Sequence, residues 1–227
     1  MSLWTRILDA LEALSRGEGF TAALERLSTP PEKTVAFAMA VIGLGAKMAK
    51  ADGTVTRDEV MAFREVFHIP PEEEANAARI YNLARQDVAG YEAYAQKIAR
   101  MFRSDTQVLE DLLEGLFHIA TIDGQYHDAE DLFLSTVAAT FGLSQRKFNT
   151  IRARYVPDAM PDPYSVLGVD PDDDPDVIRA RFRALVRENH PDQMIARGVP
   201  EEAVKLADTR LKAINAAWEA VRRDLAA

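Results

Sequence analysis

The chain of 227 residues contains no cysteine. That absence excludes disulfides, thiolate metal sites and cysteine nucleophiles, and it fits a reducing compartment. Long apolar runs are missing too. The longest, Val35 to Ala46, falls short of the ~20 residues a membrane-spanning helix needs, and Lys47 and Lys50 follow it at once. Positive charge is in deficit: 27 Lys and Arg stand against 36 Asp and Glu, for a net charge of −9. Binding along a phosphate backbone needs a basic surface, so nucleic acid is not an expected partner. There are only four histidines, and His68, His118 and His127 do not fall at zinc-ligand spacing. The amino terminus has no basic leader, long apolar stretch and small-residue cleavage site of the kind that directs secretion. No stretch carries a convincing strand pattern. These absences lead to the expectation of an all-α, cytoplasmic protein that needs no cofactor.

What the sequence does contain is helix after helix, each marked off by turn and cap residues. Leu3, Trp4, Ile7, Leu8, Leu11 and Leu14 form an apolar stripe opposite Asp9, Glu12 and Arg16. That stripe is expected to dock on its own domain. The alternative is peripheral attachment to the cytoplasmic face of the inner membrane. Thr29-Pro30-Pro31-Glu32 opens a helix to about Lys50, and Thr56 with Glu59 opens another to Phe67. Further helices are expected from Pro71 to Gln86, Tyr91 to Phe102, Asp105 to Ala120 with Ser104 as cap, Asp128 to Thr140, and Ser144 to Arg154. Gly142 is expected to close the Asp128–Thr140 helix.

A weak internal repeat runs through this region. Ala49, Asp52, Gly53, Val55 and Glu59 recur 71 residues later as Ala120, Asp123, Gly124, Tyr126 and Glu130, which implies two similar helical hairpins. Tyr155 to Pro163 holds three prolines and reads as a domain boundary. The expected organisation is an amphipathic helix at 1–24, a helical domain at 25–155, a linker at 156–162 and a short helical domain at 163–227.

The last domain carries the most specific signal. In Arg179 to Asp192, Ile178, Phe182, Leu185 and Val186 share one helical side, while Arg179, Arg183 and Arg187 form a stripe four residues apart. Pro191 should end the helix and leave His190 and Asp192 in an exposed turn. Helices at Tyr164–Leu167, Asp176–Asn189 and Glu201–Leu225 are expected, with Gln193–Pro200 as connector. The last two should pack through Ile178, Phe182, Leu185, Leu211, Ile214 and Trp218, braced by Tyr164 and Leu167.

Pro163-Tyr164-Ser165-Val166-Leu167-Gly168-Val169, the basic helix, His190-Pro191-Asp192 and Ile214-Asn215-Ala216-Ala217-Trp218 occur in the order and spacing of a J domain. The stretch therefore resembles the J domains of DnaJ-type co-chaperones. The helical domain before it resembles a TerB domain, and the order of the two is similar to DjlA-type co-chaperones. In that family a membrane-spanning helix usually precedes the TerB part, whereas residues 1–24 here read as an amphipathic helix. The resemblance implies a protein that is not itself an enzyme. It would bind a DnaK-type chaperone in its ATP state and stimulate ATP hydrolysis by that partner. Arg179, Arg183 and Arg187 would grip an acidic surface, and His190, Pro191 and Asp192 would transmit the stimulus. The TerB-like part is left with localisation, dimerisation or the choice of client proteins.

Two rival readings remain open at this stage. Asp52, Glu59, Asp123 and Glu130 could converge on a hard cation, making the protein a metal or stress sensor with the J domain as secondary output. Against that, Asp-Gly is common turn chemistry, and both glutamates sit where helix capping favours them. The other rival is a scaffold whose J domain has lost activity.

Overall fold

The structure, a computed structural model, describes residues 3–12, 33–51, 69, 71–86, 90–121, 124, 126–156, 162–203 and 205–225. These residues form α-helices with no strand among them, in accord with the all-α expectation. The order is α1 (Leu3–Glu12), α2 (Lys33–Ala51), α3 (Glu74–Gln86), α4 (Tyr91–Met101), α5 (Thr106–Ala120), α6 (Asp128–Thr140) and α7 (Gln145–Tyr155). Then come α8 (Pro163–Leu167), α9 (Pro175–Glu188), α10 (Pro191–Arg197) and α11 (Lys205–Asp224).

Hydrophobic patterning explains the layout of the first seven helices. Every residue of α2 from Val35 to Met48 is buried, as befits a helix apolar on all sides. It forms the axis of a bundle against which α1, α3, α4, α5 and α6 pack. Lys47 is the one cation in that buried stretch, and its ammonium stands 5.3 Å from the centroid of the Tyr94 ring, a cation–π distance. On α1, Leu3, Trp4, Ile7 and Leu8 are buried against the bundle, which is the docked arrangement. In this conformation those four side chains are not available to a lipid surface. No helix among the described residues is long and apolar enough to cross a membrane.

The local stop and start signals work as chemistry dictates. Ser144 caps α7, its Oγ accepting from the Lys147 N–H at 3.2 Å. Gly142 has φ +75°, and the N–H groups of Gly142 and Leu143 return to the carbonyls of Ala139 and Ala138, closing α6 in a Schellman motif. The start of α5 differs from expectation. Asp105, not Ser104, is its N-terminal flanking residue, and its side chain makes no capping bond. The helix expected at Thr56–Phe67 lies outside the described residues, as does most of the first copy of the internal repeat.

The carboxy-terminal helices have a second, smaller core. Ile178 and Leu185 of α9 meet Ile214, Ala217 and Val221 of α11, with Tyr164 and Leu167 of α8 buried in the same cluster. Phe182 and Trp218 stack with ring centroids 4.7 Å apart and planes at 10°. Leu211, expected in this seam, is only half-buried; Ala217 and Val221 fill the role on the turns that follow. A second difference concerns the connector after the turn. Pro191 ends α9 but also starts α10, because its fixed φ suits the first position of a helix whose N–H would have no partner anyway.

The two cores adjoin. Met194 of α10, Val199, Ala203, and Leu206 and Ala207 of α11 are buried in the bundle's core rather than in the smaller one. Gly115 on α5 makes room for this approach: a Cβ there would lie 3.6 Å from Leu206 Cδ1 and 3.7 Å from Val41 Cγ2, so a longer side chain would displace both.

Trp4 gives a direct check on the docking of α1, since its side chain is 1% exposed. Trp4→Ala is expected to lower the unfolding free energy by about 3–5 kcal/mol in urea denaturation; a loss near zero would mean that α1 is not held on the bundle in solution.

Candidate functional site

Three arginines define one face of α9. Arg179, Arg183 and Arg187 are all exposed, and a shallow surface groove is lined by Ala180, Arg183 and Arg187. Arg179 pairs with Asp176 one turn back at 2.8 Å, a surface contact worth little. Among the described residues, neither Arg183 nor Arg187 has an ion-pair partner. Arg181 lies off the stripe and reaches Glu188 at 3.4 Å.

The turn follows directly. α9 ends at Glu188, Asn189 takes the C-cap, and His190 adopts extended dihedrals (φ −65°, ψ 137°) before Pro191. His190 Nδ1 accepts from the Asp192 N–H at 3.3 Å, and Asp192 Oδ2 stands 3.6 Å from the same nitrogen. Both side chains point outward, 56% and 82% exposed. Five of the six expected residues are thus exposed along α9 and the turn that follows it, and Pro191 is half-buried. The His190–Asp192 pair is open to solvent on both side chains.

Beneath the turn lies a set of residues that sequence reasoning missed. Arg210 of α11 is 1% exposed, and Asp111 and Glu114 of α5 are 0% and 2% exposed. Arg210 Nη1 donates to Asp111 Oδ1 at 2.8 Å and to Asn189 Oδ1 at 2.5 Å, and its Nε lies against Glu114 Oε2. Arg197 of α10 donates from Nε to Asp111 Oδ2 at 3.0 Å and from Nη1 to the Glu188 carbonyl at 2.9 Å. Arg154 of α7 reaches Glu114 Oε1 at 2.7 Å, and the Tyr155 hydroxyl donates to Glu114 Oε2 at 3.1 Å. Two buried carboxylates of the bundle are therefore neutralised by three guanidiniums, two of them from the carboxy-terminal helices. Burial disfavours the Arg210 cation, but Glu114 and Asp111 outweigh that and hold it charged, above the ordinary arginine range. Burial, and then the Glu114 carboxylate, push the Tyr155 phenol well above its usual range, so it remains a donor.

The four carboxylates considered for a cation do not form a described site. Asp52, Glu59 and Asp123 lie outside the described residues. Glu130 is engaged locally, its Oε2 accepting from the His127 N–H at 2.9 Å at the start of α6. No group of three His, Cys, Asp or Glu suited to a metal occurs among the described residues. His118 packs edge-on to Tyr155, ring centroids 6.3 Å apart.

A helical pair joined at an exposed His-Pro-Asp turn and carried on a helical bundle is the arrangement of a J-domain protein with a second, all-α domain. The chain belongs to the TerB family: residues 38–153 match the family described as tellurite resistance protein TerB, and residues 162–224 match the DnaJ domain. Its relatives include the "Co-chaperone protein DjlA" of Photobacterium profundum, 24% identical over 92% of this chain and 85% of that protein. The protein of the same name in Escherichia coli K12 is 23% identical over 98% of both chains. That of Shewanella oneidensis is 26% identical over 54% of this chain and 53% of its own. No solved structure matches the chain.

The environment of Glu130 leads to a specific expectation. Glu130→Ala should cost about 1 kcal/mol through loss of its helix-start hydrogen bond, and equally so with or without millimolar calcium or magnesium. A larger loss in the presence of either metal, read from thermal unfolding, would make that carboxylate a ligand.

Proposed function

We propose that this chain is a J-domain co-chaperone that binds a DnaK-type chaperone in its ATP state and stimulates hydrolysis by that partner. The observation that carries this reading is the exposure of Arg179, Arg183 and Arg187 on α9 and of His190 and Asp192 in the turn directly after it, within residues that match the DnaJ domain. The names of the homologues support the same reading. In this account the chemistry belongs to the partner, whose bound nucleotide is the substrate. This chain contributes binding energy and geometry.

The division of labour follows from electrostatics. Exposed guanidiniums on a helix face act over a Debye length of about 8 Å at physiological salt, so they steer and hold an acidic surface without fixing one geometry. A rigid turn presenting an imidazole and a carboxylate at fixed positions supplies the specific contact. The TerB domain provides localisation, dimerisation or client selection, and the cytoplasm is the proposed site of action.

The test is single-turnover ATP hydrolysis by a purified DnaK-type chaperone at increasing concentrations of this protein. The intact chain is expected to accelerate hydrolysis, and His190→Gln to abolish the acceleration while leaving the fold's thermal unfolding nearly unchanged. Equal rates with and without the intact chain would favour an inactive J-domain scaffold. The double substitution Arg183→Ala, Arg187→Ala is expected to raise the half-saturating concentration roughly tenfold, equivalent to about 1.4 kcal/mol, and to flatten its dependence on salt.

A further inference from the structure

We propose that the TerB bundle sets the position of the His190-Pro191-Asp192 turn through the buried Asp111–Arg210–Asn189 relay and the partly buried Asp111–Arg197–Glu188 relay. On this account Asp111, Asn189, Arg197 and Arg210 are positioning residues for the co-chaperone activity. The inference rests on the function proposed above and deepens it, since it gives the bundle a part in activating the partner.

The geometry of the relays carries the argument. The turn hangs from two points, the Glu188 carbonyl and the Asn189 side chain. Arg197 Nη1 holds the first at 2.9 Å, and Arg210 Nη1 holds the Asn189 side chain at 2.5 Å. Asn189 is itself only 3% exposed, and its Nδ2 donates to the Leu185 carbonyl at 2.6 Å, so its side chain cannot swing without losing that bond as well as the one to Arg210. Both guanidiniums then converge on the two oxygens of a single bundle carboxylate, Asp111, at 2.8 and 3.0 Å. Asp111 is fully buried on α5, a helix whose other faces form the bundle core. A carboxylate bound at both oxygens by two charged donors in a low-dielectric setting is fixed in direction as well as distance. The end of α9 and the turn that follows it are therefore tied to the bundle, whereas the side chains of Arg179, Arg183 and Arg187 take no part in either relay.

That separation makes the proposal testable in the full chain. Asp111→Asn keeps the shape but removes the charge shared by Arg197 and Arg210. Asn189→Ala cuts the last step to the turn and leaves the ion pairs between the helices in place. In single-turnover ATP hydrolysis by a purified DnaK-type chaperone, each is expected to lower the plateau of stimulation about tenfold and to change the half-saturating concentration less than about twofold. Asn189→Asp, which retains an acceptor for Arg210, should recover part of the plateau. A merely structural role gives the opposite pattern: a reduced folded fraction raises the half-saturating concentration and leaves the plateau alone. That pattern, or a plateau equal to the parent's in Asn189→Ala, would overturn the inference while the function stands. Absence of stimulation by the intact chain at any concentration would overturn the function and this inference together.

Discussion

Asp111 is the hinge of the structure's electrostatics. A carboxylate with no solvent exposure is costly to ionise unless it is fully paired, and here two guanidiniums from a different part of the chain take both of its oxygens. Such a cluster adds little net stability compared with well-packed apolar residues, but it is strongly directional, and losing one partner leaves an uncompensated charge. Around it the carboxy-terminal helices meet the bundle, with Met194, Leu206 and Ala207 buried in the shared core.

This docking changes how the two domains relate. The three prolines between Tyr155 and Pro163 mark a boundary between two domains. Across it, α11 contacts α5 and α7, and Met194 of α10 with Leu206 and Ala207 of α11 is buried in the bundle's core. The face that remains outward is the one bearing Arg179, Arg183 and Arg187, together with the corner at His190. The inward face of the same turn is occupied by Asn189 and the Arg210 guanidinium. A partner gripping the outward face would meet a surface backed by the bundle rather than a free hairpin.

Much of the fold was legible because helices announce themselves by period and punctuation. The bounds of Asp128–Thr140 are legible to the residue, since acidic residues open that helix and Gly142 closes it. The exposed turn at His190 was legible because proline restricts the residue before it. What escaped was less local. Pro191 signals a stop, yet the same ring that ends α9 begins α10. The buried ion pairs were hidden because charged residues are normally assigned to the surface. A signal existed all the same: Leu206, Ala207, Arg210, Ile214, Ala217 and Val221 follow one helical stripe, and Arg210 stands in its middle. Asp111 and Glu114 likewise interrupt the apolar run of α5 at a spacing that puts both on one side. A cation and two anions on core faces of different helices are a pairing forecast that sequence alone supports.

The central claim, that the arginine face and the His-Pro-Asp corner are where a DnaK-type chaperone is engaged, is tested most directly by site-specific photocrosslinking. A crosslinker at exposed Ala180 of α9 should capture the ATP-bound chaperone, and the same probe at exposed Gln96 of α4 should not. Capture from Gln96 and none from Ala180 would contradict the account.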